Sequence, residues 1–246
     1  LNKGEETHTC GEDNKKAIQE KPHSKGMTVA TFQGTQALYV LDERGRIYRS
    51  AIQYGRIQPA RRVGSAPIHC DNPCLAVSEK AIFFLANTLD TSAVRLSASP
   101  LGSDGLSGRW RALPLPRQIH APGLVWISQD RLFICSASSQ VPAAIYTAKL
   151  ENGLSIRSWE HIIDLPPGIR PVATATLGDR CFVAARSSQT GSIEILAVSM
   201  GRVPGMSRLG RVDDVRGDVS ILVSPDRLIL LDGGDRPGRV DLERRL

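Results

Sequence analysis

The chain has 246 residues, a formal net charge of +6 and only 5% aromatic residues. This length allows one all-β domain whose core consists mainly of Val, Ile, Leu and Ala. No apolar run approaches the roughly 20 residues of a membrane-spanning helix, so we expect no membrane span. All arginines lie at or after Arg44, at turns rather than in clusters with aromatic residues. This distribution argues against nucleic-acid binding.

The first 26 residues, LNKGEETHTCGEDNKKAIQEKPHSKG, are polar and of mixed charge. Such a composition predicts a flexible tail or an arm that wraps a neighbouring protein. We therefore divide the chain into a tail, 1–26, and a folded domain, 27–246. The sequence begins with Leu1 rather than Met. This start is compatible with a removed targeting segment, and so with a secreted, periplasmic or organellar protein.

A repeat of about 48 residues runs through the domain. Its copies read PCLAVSEKAIF (73–83), APGLVWISQDRLF (121–133), RPVATATLGDRCF (170–182) and VSILVSPDRL (219–228). Each copy is an apolar strand, a short polar turn and a second apolar strand. The acidic turn residues Glu79, Asp130, Asp179 and Asp226 lie 51, 49 and 47 residues apart, and a weaker first copy has Thr35 in that position. This self-similarity predicts a β-propeller.

The first four repeats predict four strands each, and the fifth predicts three. The predicted strands are 28–32, 37–41, 46–51 and 58–63; 74–78, 81–86, 93–98 and 109–113; 123–128, 131–136, 143–150 and 158–163; 171–177, 180–185, 192–199 and 206–210; and 218–223, 227–231 and 239–242. We thus predict an all-β propeller of five repeats with four-stranded antiparallel blades, the last blade lacking its outer strand. The ring could latch imperfectly, belong to a larger propeller, or be completed by a partner's strand.

Two tryptophans repeat on the predicted outer strands. Trp110 in SDGLSGRWRALPLP (103–116) and Trp159 in ENGLSIRSWEHIIDLP (151–166) lie 49 residues apart. We expect each indole to fill the wedge between neighbouring blades, and sugar stacking is the alternative. The Gly-Leu turn before each Trp, the Leu-Pro after it and Asp232-Gly233-Gly234 resemble kelch-like propellers of the galactose-oxidase central-domain and sialic-acid-epimerase type. The resemblance covers about residues 27–242, and it implies an architecture but no catalytic chemistry.

The five cysteines, Cys10, Cys70, Cys74, Cys135 and Cys181, are an odd number, so at least one is unpaired within the monomer. Cys135 and Cys181 lie in apolar strand runs and are expected in the core. Cys70 and Cys74 are close enough in sequence for a loop disulfide. Metal binding by these two with His69 is the alternative, but it lacks a fourth ligand. We therefore predict no metal and no cofactor.

Propeller enzymes carry their reactive groups on loops around the central channel, here 67–73, 118–122, 168–171 and 213–218. The candidate ligand-binding residues on these loops are His69, Asp71, Asn72, His120, Arg170, Asp214 and Asp218. A glycosidase needs carboxylates that face each other, and Asp71, Asp214 and Asp218 could supply them. The third and fourth repeats offer His120 and Arg170 instead of acids. No hydrolase, phosphate-loop or zinc-protease motif is present, so we assign no catalytic residue.

Without a convergent acid–base set, the sequence favours a non-catalytic module for protein interaction or scaffolding, a subunit of a larger assembly with protein partners. Two alternatives remain open. One is a carbohydrate-binding lectin with a shallow site in each gap between blades. The other is a propeller enzyme that acts on glycans or sialic-acid-like sugars. Fold alone does not decide among these functions.

Overall fold

A computed structural model describes residues 24–32, 35–42, 44–54, 56–67, 70–88, 93–103, 105–119, 121, 123–136, 142–201, 203–215, 218–223, 228–232 and 239–242. At 24–32, 35–36, 70–72, 231–232 and 239–242 it describes the backbone alone. The secondary-structure elements of these segments are all β-strands, as predicted. Within the described residues no helix is long and apolar enough to cross a membrane.

The strands form five antiparallel sheets in chain order. Blade one contains β1 (Ser24–Phe32), β2 (Thr35–Asp42), β3 (Arg46–Gln53), β4 (Arg56–Ile57) and β5 (Arg61–Ser65). Blade two contains β6 (Cys70–Val77), β7 (Ala81–Thr88), β8 (Val94–Gly102), β9 (Gly105–Leu106) and β10 (Arg111–Leu113). Blade three contains β11 (Leu124–Ser128), β12 (Arg131–Cys135), β13 (Ala144–Lys149) and β14 (Glu160–Asp164). Blade four contains β15 (Ile169–Leu177), β16 (Arg180–Ser187), β17 (Ile193–Ser199) and β18 (Gly205–Val212). The last sheet contains β19 (Val219–Val223), β20 (Leu228–Asp232) and β21 (Arg239–Leu242).

The four-stranded plan of the repeat is present in four complete blades. The outer strand of blades one and two is split, because β4 and β5 both pair with β3, and β9 and β10 both pair with β8. The last sheet has three described strands, so the structure shows four blades and a shorter fifth sheet. Strand β1 begins at Ser24, inside the predicted tail, whose first 23 residues lie outside the described part of the chain.

The first strand of each sheet lies innermost and contacts the first strand of the next: β1 with β6, β6 with β11, β11 with β15, and β15 with β19. Side chains alternate between the two faces of each sheet. In β7, Phe84 enters the cluster shared with blade one, whereas Phe83 and Leu85 enter the cluster shared with blade three. Both faces are therefore buried, which explains why these strands read as nearly continuous apolar runs.

The polar turns that reveal the repeat hold each blade together. The backbone carbonyl of Lys80 accepts a hydrogen bond from Leu101 N at 2.8 Å, and Asp130 O accepts one from Leu150 N at the same distance. Asp179 O accepts the equivalent bond from Met200 N at 2.7 Å. Each bond ties the end of the third strand to the first hairpin turn. The turn thus recurs in blades two, three and four through its backbone carbonyl, whichever side chain it carries.

The two repeated tryptophans join neighbouring blades, as predicted. Trp110 Nε1 donates to the Ser65 carbonyl at 2.8 Å, and Trp159 Nε1 donates to the Pro114 carbonyl at 2.9 Å. Both acceptors lie 45 residues upstream, in the previous blade. Trp110 also packs edge-to-face on Phe84, with ring centroids 5.9 Å apart. Both indole N–H groups are therefore used within the fold, and these residues serve as wedges between neighbouring blades.

We predict that Trp110→Phe and Trp159→Phe each lower the free energy of unfolding by about 1–2 kcal/mol, because each leaves an acceptor carbonyl without its donor. Trp126→Phe is the matched control, since the buried Trp126 Nε1 has no hydrogen-bond partner to lose. Urea denaturation followed by circular dichroism measures all three. Equal losses at the three positions would contradict the assigned role of the two hydrogen bonds.

Candidate functional site

The innermost strands define one end of the propeller as the place to look for a site. Each of them is followed by a hairpin turn at its far end, so their starts gather at the opposite end, around the axis. We call this end the upper rim. It is formed by the residues at and before the starts of β6, β11, β15 and β19, together with the turns between the second and third strands. The described parts of the four predicted loops lie there, but residues 70–73 belong to β6 and residues 169–171 to β15 rather than to loops.

The structure describes five of the seven predicted site residues. His69 and His120 lie outside the described residues. For Asp71 and Asn72 the backbone alone is described, in β6, where Asp71 opposes Asn87 of β7. Of the other three, Arg170 lies in β15, whereas Asp214 and Asp218 lie between β18 and β19. The side chains of these three residues are exposed at the junction of blade four and the last sheet.

A second arginine lies at this junction, and it was not among the predicted site residues. Arg186, near the end of β16, directly opposes Arg170 in the strand register. Side chains of directly opposed residues share one face of the sheet. Phe182 and Ala184, which have the same parity as Arg186, enter the cluster shared with the last sheet. Both arginines are therefore on the face towards Asp214 and Asp218, a relation that only the strand register reveals.

Arg186 fastens the loop that carries the two aspartates. Its Nη1 donates to the Val215 carbonyl at 2.6 Å and to the Gly191 carbonyl at 3.2 Å. The side chain of Val215 is buried in the cluster between blade four and the last sheet. On the other side of Asp214, Arg211 Nε donates to Asp213 Oδ1 at 2.8 Å. The loop is thus held on both sides of Asp214.

Asp214 itself has an unusual backbone. Its φ of +62° lies in the left-handed region, which residues other than glycine seldom adopt. Such conformations cost of order 1–3 kcal/mol and cluster at functional sites. No hydrogen bond or ion pair joins Asp214 or Asp218 to the described residues, so both carboxylates face solvent. This pair is a candidate for contact with a ligand.

The junction of blades two and three forms another part of the rim. Cys74 Sγ donates to the Gly123 carbonyl at 2.9 Å, and burial raises the pKa of this thiol to about 11. Cys74 is a free thiol, so the loop disulfide with Cys70 is not formed. A protonated thiol is a poor metal ligand. The described residues contain no group of three metal-binding side chains, and His69 lies outside them.

The thiols expected in the core are buried there. Cys135 and Cys181 are both 0% exposed and lie in the cluster between blades three and four. Burial raises the pKa of each of these thiols above its usual value. Their role is therefore packing, which confirms the prediction from their apolar surroundings.

One buried carboxylate on the rim is structural. Asp42, 3% exposed, accepts hydrogen bonds from Arg44 N at 3.0 Å and Arg46 N at 2.8 Å, and from Arg46 Nε at 2.6 Å. Burial acts to raise the pKa of Asp42, but these hydrogen bonds and the guanidinium charge outweigh it, and the pKa is lowered. The side chain closes the turn between β2 and β3. Its oxygens are already committed to the protein.

At the level of sequence, the chain matches no family model, and no curated protein is similar to it. Solved structures are similar in fold. A GH43_1 enzyme from Xanthomonas citri has 13% identity and a TM-score of 0.56 over 86% of this chain and 82% of the enzyme. An endo-arabinase from Bacteroides thetaiotaomicron has 10% identity and a TM-score of 0.58 over 92% and 95%. A GH43 β-xylosidase/α-arabinofuranosidase from a compost metagenome has 11% identity and a TM-score of 0.53 over 90% and 91%.

These likenesses confirm the propeller architecture, and they correct the rest of the prediction. The structures named here are glycosidases, two of them GH43 enzymes, rather than kelch-like proteins, so the kelch-like description is corrected to a propeller of this architecture. The main functional prediction, a non-catalytic scaffold or subunit of a larger assembly, is also wrong, because the named structures that share this fold are glycosidases rather than scaffold proteins. Nothing in the fold supports the predicted protein partners.

We predict that iodoacetamide at pH 8 leaves Cys74, Cys135 and Cys181 unmodified in the folded protein and modifies all three in urea, because burial keeps the thiols protonated. Peptide mass spectrometry measures this modification.

The raised pKa of Cys74 also stabilises the fold below pH 9, and this stability is lost as the pH rises through about 11. Between pH 9 and pH 11, we predict that the free energy of unfolding falls by about 2–3 kcal/mol more in the wild type than in Cys74→Ala. Parallel losses in the two proteins would count against a buried, neutral Cys74.

We predict that Arg186→Gln loosens the loop 213–218 and lowers the free energy of unfolding by about 1–3 kcal/mol, since a charged donor to two carbonyls is lost. Hydrogen–deuterium exchange should increase in peptides that cover this loop. Arg208→Gln is the control, because Arg208 is half-exposed and pairs with Glu194 only at 3.4 Å. Unchanged exchange in the loop of Arg186→Gln would show that Arg186 does not hold it.

Proposed function

We propose that this chain is a β-propeller hydrolase that acts on glycans at the upper rim. The observation that carries the proposal is the fold shared with GH43 glycosidases over most of both chains. The names of these neighbours include β-xylosidase, α-arabinofuranosidase and endo-arabinase. Polysaccharides built from pentoses are therefore the first substrates to consider.

Carboxylates at the rim support this proposal. Glycoside hydrolysis generally uses two carboxyl groups, one as general acid and the other as base or nucleophile. Asp214 and Asp218 face solvent beside the start of β19. Asp71 lies near the start of β6, which is separated from β19 by β11 and β15 in the sequence of innermost strands. A glycan lying across the axis would have Asp71 on one side and the two loop aspartates on the other.

The use of the tryptophans favours one site on the axis over a lectin with a site in every gap between blades. Such a lectin needs exposed aromatic platforms at equivalent positions of the repeat. The repeated Trp110 and Trp159 instead donate their indole N–H groups to the preceding blade. The polar groups of the rim differ from blade to blade, as expected for a single asymmetric site.

We also propose that the last sheet is the fifth blade of the ring. Its innermost strand β19 packs on β15 in the same way as β15 packs on β11. In the sequence, Asp226 continues the spacing of the repeat, 47 residues after Asp179. A small-angle scattering curve that fits a closed disc supports this arrangement, whereas a curve that requires an open arc contradicts it.

We predict release of reducing sugar from arabinan or xylan, or of 4-nitrophenol from the β-D-xyloside or α-L-arabinofuranoside. Asp71→Asn and at least one of Asp214→Asn and Asp218→Asn should lower kcat by about 100-fold or more, as expected when a general acid or base is removed. Asp179→Asn is the matched control, because Asp179 is an exposed aspartate in the turn at the opposite end of β15 and β16.

Three results would bear on the assignment. Loss of activity in Asp71→Asn with retained circular dichroism would support the arrangement across the axis. Equal activity in all three rim variants would move the reaction away from these residues. Wild-type protein that hydrolyses none of the polysaccharides or aryl glycosides would contradict the proposed function itself.

A further inference from the structure

The two arginines at the junction of blade four and the last sheet form an unusual pair. Arg170 and Arg186 are directly opposed in neighbouring strands, on the same face of the sheet. Like charges in this position are destabilising. This unfavourable pair lies at the rim rather than on a solvated outer strand, because β15 is the innermost strand of its blade. A position that brings two like charges together is well suited to bind an opposite charge.

The two side chains differ in how they are held. Arg186 is half-buried, and two backbone carbonyls fix its Nη1. Arg170 is exposed and makes no hydrogen bond or ion pair with the described residues. Arg186 thus has a fixed position, whereas Arg170 retains all five N–H donors for a ligand. Fixing a binding group in advance lowers the entropy that a ligand must lose on binding.

The neighbouring charges determine where an anion could lie. Asp214 and Asp218, exposed on the loop that Arg186 fastens, repel an anion from their side of the junction. On the other side, the start of β15 is tied to the end of β16, since Ser188 N and Oγ both donate to the Gly168 carbonyl at 2.8 Å. The arginines therefore form the positive side, and the aspartates the negative side, of one junction.

We propose that Arg170, with Arg186 beside it, binds the carboxylate of an acidic sugar, so that the substrate glycan carries a uronic acid. This inference rests on the proposed function for the placement of the glycan at the rim. The planar guanidinium matches a carboxylate with two parallel hydrogen bonds. A neutral sugar has no negative charge to offer the exposed guanidinium of Arg170.

The test compares sugars that differ at one position. Methyl β-D-glucuronide, methyl β-D-glucoside and methyl β-D-glucoside 6-sulfate are titrated into the full chain and followed by NMR. We expect the glucuronide to bind at least about tenfold more tightly than the glucoside, since a charge-assisted hydrogen bond is stronger than a neutral one. Binding should weaken when NaCl rises from about 50 to about 500 mM, because salt screens the charges.

Variants distinguish binding at Arg170 from attraction of the anion by the positive charge of the protein as a whole. Arg170→Gln should weaken glucuronide binding by about tenfold or more, and Arg170→Lys should restore only part of it, because Lys lacks the planar pair of donors. Arg180→Gln is the matched control, because it removes an exposed charge from the far end of the same pair of strands. Circular dichroism verifies the fold of each variant.

The outcomes separate this inference from the proposed function. Equal binding of the glucuronide and the glucoside, or equal losses in Arg170→Gln and Arg180→Gln, would overturn the uronate site even if neutral glycans are hydrolysed. Binding of the 6-sulfate as tight as that of the glucuronide would overturn the assignment to a carboxylate. Glucuronide binding that depends on Arg170 would support the site even if no glycan is hydrolysed, and the proposed function would then fail alone.

Discussion

The structure depends on one constraint: a sheet that lies between two others is buried on both faces. Successive side chains of a strand point to opposite faces, so the position of a residue in its strand decides which neighbouring blade it contacts. Phe83 and Phe84 are consecutive, yet they enter the cores on opposite sides of blade two. A shift of one residue in the strand register would move every side chain of the strand into the opposite core. Because both faces are buried, no misplaced side chain could turn to solvent instead. The same rule extends to the rim. Because Ala184 faces the last sheet, Arg186 faces it too, and its guanidinium reaches the Val215 carbonyl.

The repeat made the architecture predictable, because it records a local unit of structure. A hairpin with a polar turn has the same hydrogen bond in three blades, from the end of the third strand to Lys80, Asp130 or Asp179. The wedge role of Trp110 and Trp159 was predictable for the same reason, since residues that recur with the blade serve the packing of the blade. The splitting of the outer strands was not predictable. The close contact of β5 with β9 also has no sequence signal: a Cβ on Gly105, whose φ is +138°, would lie 2.5 Å from the Val63 carbonyl oxygen.

The candidate site was predictable only in part, because it departs from the repeat. Loop positions before the innermost strands could be read from the sequence, and these include Arg170, Asp214 and Asp218. Arg186 could not be found in this way, since its importance depends on pairing with Arg170 across strands and on a carbonyl 29 residues away. The left-handed backbone of Asp214 also has no sequence signal, as most such positions hold glycine. The functional prediction is wrong for a related reason: a site built from separate blades leaves no contiguous motif in the sequence.

The distribution of side chains on the propeller links the fold to its function. Groups that recur in several blades, such as the tryptophans of blades two and three, serve the packing of the blades. Groups that occur once are concentrated at the rim, where Asp214, Asp218 and Arg170 face solvent without described partners. Selection for packing alone would allow similar residues at equivalent rim positions, because the loops are equivalent in the repeat. The unequal rim is consistent with the proposed function, in which a single ligand would cross the axis and present a different group to each blade. Identities of 10–13% with the glycosidase structures fit this division, since the blade plan is retained while the rim residues determine what is bound.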